Sequence, residues 1–251
     1  MKNLRSVAIV NYMLDKASLG QERLANELFP DQSNPRKKIM RWLKGHDIAD
    51  NNRSVLLDRF PELEWFFDTP VFEWINPEIT LSHDEVLEKL KAFQNQNDKA
   101  LGYWNLSKYD DFGQHFKTPI ICRENTPALA EYGGIDGFVV ILGLLRSQKW
   151  NHIFLKQHIV QALRAFPHLA RHPAFKPNWL SYYAMLKRLR YKLLRVIDDV
   201  IPDDYMMKSY VEMDEPYKLW RGANGRVSKS GKFVTTPAPV LMIKEFEHWR
   251  P

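Results

Sequence analysis

The sequence predicts a mainly α fold. Short helices fill an N-terminal domain over residues 1–70, a linker occupies 71–81, and a larger helical C-terminal domain with a small β-hairpin covers 82–251. Three observations carry this reading. Apolar residues recur at three- and four-residue spacing through most of the chain. Gly20, Pro30, Gly45 and Pro61 cut the first quarter into short pieces. Strand-like alternation is confined to one late segment, 217–236.

The elements follow in order. "RSVAIVNYMLDKA" and "LGQERLANELF" give two helices, then a turn, "PDQSN", then a basic helix, "NPRKKIMRWLKG". Asn34 suits its N-cap. Pro35 suits its first turn, where a missing N–H costs nothing, and Gly45 ends it. "NRSVLLDRFPELEWFFD" continues the helical period. "TPVFEWINPEITLS", with Pro70 and Pro77, reads as the linker. In "SHDE", Ser82 and Glu85 stand at capping-box spacing and open a helix to about Gln96. Residues 101–125 are irregular and aromatic, and Thr126-Pro127 marks another helix start. Helical patterns then run over 135–149, 152–166 and 178–197, with Pro167, Pro173 and Pro177 as breaks. "YKLWRGANGRVSKSGKFVTT" alternates around Gly, Asn and Ser and predicts the hairpin.

Composition narrows the function classes. The chain has 251 residues, 45% of them hydrophobic, with eight Trp. One cysteine, Cys122, excludes an internal disulfide framework and a multi-cysteine zinc site. No signal-peptide-like apolar stretch opens the chain, and the longest apolar run, "GFVVILGLL", is too short to span a bilayer. These features predict a soluble, cytoplasmic protein. A net charge of +6 favours an acidic partner. The charge is blocked: residues 137–197 hold eleven Lys or Arg and no Asp or Glu, 198–215 hold seven acids against one Lys, and 216–244 hold six Lys or Arg and no acid. Acid-free blocks of this length predict a positive face, unless the cations are scattered over several helices.

Five of the positive charges fall between residues 34 and 48. On a helical wheel Ile39, Trp42 and Leu43 share one face, while Arg36, Lys37, Met40 and Lys44 share the other. In the preceding helix Leu24, Ala25 and Leu28 share a face, and Ala25 is small enough for a crossing helix to approach closely. Two short helices with a tight approach and a turn between them make a helix-turn-helix.

"LGQERLANEL", "IMRWLKG" and "LLDRFPELEWFF" together resemble the DNA-binding domain of lambda-repressor-like (Xre-type) regulators. The resemblance covers residues 4 to 68. It implies that the basic helix enters the major groove with its N-terminal end toward the base edges. Arg36 and Lys37 would then read guanine, and Met40 would meet a thymine methyl. Gln21 resembles the family's phosphate-contacting glutamine, and Lys38, Arg41 and Lys44 are placed for phosphates, with Arg41 alternatively an internal anchor. One departure stands out: Ala25 to Ile39 spans four residues more than the family pattern, so the turn is enlarged, with Phe29 and Pro30 expected to pack beneath the second helix.

Other features carry less. His168 and His172 have the spacing of two metal ligands on a helix, but no carboxylate or Cys lies near, so core or surface histidines are expected. Cys122 reads as a small buried hydrophobe. "GGIDG" and "RGANGR" lack phosphate-loop context. No catalytic constellation stands out and no cofactor is implied, so the chain is not read as an enzyme. Lys187, Arg188, Lys192, Arg195, Arg226 and Lys229 form a candidate auxiliary basic face. The sequence thus predicts a sequence-specific DNA-binding transcriptional regulator, a repressor acting on double-stranded DNA as a homodimer. The alternatives are a protein-interaction adaptor or effector with a degenerate helix-turn-helix, and a DNA-processing or replication accessory protein. The operator, the inducing signal, the target genes and the role of the C-terminal domain are not legible.

Overall fold

The computed structural model describes residues 3–96, 130, 134–147, 152–194 and 202–212. The chain divides into two compact units, Met1–Phe72 with His172–Trp179, and Glu73–Arg171 with Leu180–Pro251. The described residues contain helices and no strand. The expectation of a mainly α fold holds, and its β-hairpin is corrected: the described residues form no strand, and the segment assigned to the hairpin, 217–236, lies outside them. So do the irregular stretch 101–125, the Thr126-Pro127 helix start and Cys122.

In the first unit, helix α1 (Leu4–Ala17) starts at Asn3, whose side chain accepts from the N–H groups of Arg5 and Ser6 at 2.9 and 3.3 Å. Its apolar residues Val7, Ala8, Ile9, Val10 and Met13 are all buried. It packs against α2 (Gln21–Leu28), α3 (Pro35–Leu43) and α5 (Leu63–Asp68). Between α3 and α5 lies α4 (Asp50–Arg59), and Pro61 splits what the sequence shows as one helical pattern into α4 and α5. The unit is completed by residues that come a hundred positions later. Ala174 and Phe175 are buried. The Phe175 ring lies 6.0 Å from Phe66, 5.8 Å from Phe72 and 6.4 Å from Trp65, while His172 stacks on Tyr12 at 6.0 Å. Asn11 Nδ2 donates to the Ala174 carbonyl at 3.1 Å.

The stretch 71–81 holds a helical turn, α6 (Val71–Trp74), and buries Val71, Trp74, Ile75 and Leu81. The division between units falls inside it, at Phe72 and Glu73.

The second unit is built around α8 (Gly134–Arg146), which is apolar on every side and buried from Gly137 onward. A helix that is hydrophobic all round belongs at the centre of a core. It packs on α9 (His152–Arg171) and on α7 (His83–Gln96), and α9 packs in turn on α11 (Asp204–Glu212). The capping box at the start of α7 forms as the sequence spacing requires: Ser82 N–H donates to Glu85 Oε2 at 2.8 Å, and Glu85 N–H to Ser82 Oγ at 3.2 Å. Gly143 lets the neighbours of α8 come close, since a methyl there would stand 2.6 Å from Leu90 Cδ2 and 2.7 Å from Trp74 Cζ3.

Helix α9 does not stop at Pro167 but continues to Arg171. Proline removes a backbone donor and crowds the preceding turn, at a cost of about 3 kcal/mol in a helix interior. Phe166, Leu169 and Ala170 are all fully buried around it. Burial of that order, roughly 1.5–3 kcal/mol for a large apolar side chain, offsets the penalty. Helix α10 (Trp179–Leu194) follows a 3-10 turn at Lys176–Asn178 and buries Tyr182, Tyr183, Leu186 and Leu189.

Two outcomes are expected here. Gly143→Ala should lower the urea-unfolding stability of the chain by about 1–3 kcal/mol through overpacking. A gain of about 1 kcal/mol, the usual benefit of alanine in a helix, would show that Leu90 and Trp74 yield freely. The second concerns His168, whose Nε2–H donates to the Ala130 carbonyl at 3.1 Å. Burial, helped by the neighbouring Arg171 charge, pushes its pKa down to about 4. The folded state therefore holds a neutral ring where the unfolded chain, with an ordinary histidine pKa, takes up a proton. Stability is full above pH 6.5 and falls as pH drops toward 4, by about 1–2 kcal/mol between pH 7.5 and 5. His168→Asn should shrink that drop in urea melts, and an undiminished drop would exclude His168 as its source.

Candidate nucleic-acid interface

Helices α2 and α3 form the tightest helix pair of the first unit. Ala25 and Ile39 are fully buried, and Leu24, Leu28 and Trp42 are nearly so. The small side chain of Ala25 permits the close approach that the sequence implies. The enlarged turn is held by Phe29, which is buried and meets the Trp42 ring edge-on at 5.9 Å and 68°. Pro30, expected beneath α3 with Phe29, is exposed instead. The Phe29 N–H donates to the Ala25 carbonyl, and Gln32 N–H returns to the Phe29 carbonyl, so the extra residues form a compact turn.

Helix α3 is bounded at both ends by specific caps. Asn34 Oδ1 accepts from the Lys37 N–H at 3.2 Å, with Pro35 in the first turn. At the far end Gly45 takes φ 87, a left-handed conformation that suits a residue without Cβ. Its N–H donates to the Trp42 carbonyl and that of His46 to the Arg41 carbonyl, which closes a Schellman motif. The Gly45 carbonyl accepts from the Asn3 N–H at 2.9 Å, tying the end of α3 to the start of α1.

With both ends fixed and Ile39 and Trp42 turned inward, the opposite side of the helix is presented outward. Arg36, Lys37, Arg41 and Lys44 are exposed, and Met40 is half-buried. At 100° per residue these five positions occupy an arc of roughly 140°, about 12 Å long. Lys37, Arg41 and Lys44 carry no ion pair among the described residues, and Arg36 faces the Glu22 carboxylate of α2 at 3.8 Å. Such an exposed pair is weak and screened by salt. The charge is local: residues 1–72 contain eleven Lys or Arg against ten Asp or Glu, and five of those eleven lie between Arg36 and Lys44. Gln21 is half-buried at the first position of α2, beside a recess that it shares with Leu14, Gly20, Arg23, Asn26 and Arg36. Gly20 at its N-cap offers no side-chain acceptor to the first turn.

Lys38 is placed differently from the other cations of α3. It sits on the flank next to Trp42, with Nζ 4.0 Å above the Phe29 ring and 2.8 Å from Asn52 Oδ1 at the start of α4. Burial lowers its pKa. Phe29 was expected beneath α3, but its contact with Lys38 and the part played by Asn52 were missed by sequence reasoning; the helical wheel, which puts Lys38 one position from Ile39 and four from Trp42, showed only that Lys38 lies toward the buried side.

Of the auxiliary basic residues, Lys187, Arg188 and Lys192 are described, in the second unit, and two of the three are engaged. Lys187 pairs with Asp204 at 2.6 Å and lies over the Tyr183 ring, and Lys192 Nζ donates to the Pro77 carbonyl at 2.6 Å. Arg188 is exposed. Arg195, Arg226 and Lys229 lie outside the described residues. Other cations of the acid-free block also serve the fold: Arg171 donates to the Val211 and Tyr210 carbonyls at the end of α11, and buried Arg146 to the Ile79 carbonyl. His168 belongs to the second unit and His172 to the aromatic cluster of the first, and the described residues contain no cluster suited to a metal ion. No helix among the described residues is long and apolar enough to cross a membrane.

No protein-family model matches this chain, and comparison with curated proteins and with solved structures gave no match.

The presentation of α3 depends on its N-cap. Asn34→Ala is expected to cost about 1 kcal/mol of stability, read as a lower urea midpoint. Asn34→Asp, which keeps the acceptor and favours the helix dipole, should hold the midpoint. If both variants melt alike at the wild-type midpoint, the cap does not set the start of α3.

Proposed function

We propose that the chain is a sequence-specific DNA-binding regulator that reads duplex DNA with α3 and represses by occupying its site. One observation carries this reading: a short helix, capped at both ends and buried by Ile39 and Trp42 against α2, turns Arg36, Lys37, Met40, Arg41 and Lys44 outward together. The major groove is about 12 Å wide and admits a helix whose side chains reach base edges. Arg36 and Lys37, near the N-terminal end, are assigned to bases, with Met40 beside them for an apolar contact. Lys44 and Arg41, further along, are assigned to phosphates, and Gln21 to a phosphate at the start of α2. One such helix covers only a few base pairs, so the reading includes a homodimer on a two-fold symmetric site. It also includes a cytoplasmic location.

Selection from a random duplex pool with the full chain tests the proposal. Wild type is expected to enrich one motif. Arg36→Ala should lose preference at one base position, worth about 1–3 kcal/mol. Lys44→Ala should instead weaken every duplex alike and reduce the slope of log affinity against log salt by about 0.9. A wild type that enriches nothing would overturn the regulator reading in favour of a protein-interaction module. An unchanged motif in Arg36→Ala would move base reading to other side chains.

A further inference from the structure

We infer that Lys38 is a positioning residue of this interface, one that seats α3 across the enlarged turn and does not itself touch DNA; the inference rests on the DNA-binding reading. The ammonium group is held from two sides, by the Phe29 ring at 4.0 Å and by Asn52 Oδ1 at 2.8 Å. Phe29 belongs to the turn, Lys38 to α3 and Asn52 to α4, so one side chain joins three consecutive pieces of chain. Phe29 in turn meets Trp42 edge-on, on the buried side of α3. The contact therefore opposes rotation of α3 about its own axis, which is the motion that would carry Arg36 and Lys37 away from their bases.

Direction supports the same assignment. On the wheel, Lys38 lies roughly 130° from the centre of the outward arc, whereas Lys37 and Lys44 lie near that centre. Reaching a phosphate would mean leaving the ring and the amide together. The half-buried position of Lys38 contrasts with the exposure of Lys37, Arg41 and Lys44.

The test uses the full chain and four variants: Lys38→Met, which keeps an unbranched stem over Phe29 without the charge, Asn52→Ala, Phe29→Leu and the control Lys44→Ala. Circular dichroism first establishes which are folded, and Asn52→Ala, which leaves Lys38 in place, stands in if Lys38→Met is not. The contact itself is read without DNA: proton NMR should show the Lys38 ε-methylene shifted upfield by the ring, a shift lost in Phe29→Leu. In duplex selection, Lys38→Met and Asn52→Ala should both blur base preference at the positions that Arg36 and Lys37 read. Their log–log salt slopes should stay at the wild-type value, while the Lys44→Ala slope falls by about 0.9. A fall of that size in Lys38→Met makes Lys38 a phosphate contact and overturns the inference. A motif and slope both unchanged make it a packing residue only, which overturns it equally. A wild type that enriches no motif brings down the DNA reading and the inference with it, and the ring-current shift then tells whether the contact itself exists.

Discussion

The arrangement of the first unit turns on the burial of Ile39 and Trp42 against the face that α2 offers with Leu24, Ala25 and Leu28. A helix of nine residues is too short to be stable alone, because helix initiation is costly and each added residue gains little. Its existence and its rotation are therefore set together by what it buries. Once those two side chains are inside, geometry decides the rest: Lys38 falls on a flank and five other positions face out. The caps at Asn34 and Gly45 fix where the helix begins and ends, and the Asn3 link to Gly45 fixes it against α1. The outward charge is thus a consequence of the inward packing.

The second unit shows why counting charge along a chain misjudges a surface. The stretch 137–197 contains no Asp or Glu, yet several of its cations are not available to an outside partner. Arg171 satisfies carbonyls at the end of α11, where a helix leaves acceptors unpaired and carries partial negative charge. Arg146 and Lys192 also end on backbone carbonyls, and Lys187 reaches forward to an acid of the following block. A carbonyl is an acceptor that carries no letter in the sequence. Basic residues can be neutralised in effect without any neighbouring carboxylate.

Local signals were legible and distant ones were not. The capping box of Ser82 and Glu85, the Asn34-Pro35 start and the Gly45 stop all depend on residues within a few positions of each other, and each forms in the structure. The two faces of α3 were equally legible from its period. The passage of α9 through Pro167 was not, because the offsetting burial comes from neighbours elsewhere in the chain. Nor was the anchoring of Lys38, which needed the positions of Phe29 and Asn52 to be known at once. The return of His172–Trp179 to the first unit left no local trace: "HPAFKPNW" reads as punctuation between two helices, and only the structure gives Phe175 its place among Trp65, Phe66 and Phe72.

That return has a consequence for the order of synthesis. A ribosome extends the chain at about 5–20 residues per second, so on the order of 5–20 seconds separate the emergence of Phe72 from that of Phe175. Throughout that interval α1 and α5 exist without the rings that cover Tyr12 and Phe66. The helices with the basic face are made first but completed late, after α7, α8 and α9 have been translated. An N-terminal fragment would keep that apolar face open for good. In the cell the nascent chain presents it for a limited time, during which chaperones and other nascent chains compete for the place that Phe175 finally takes.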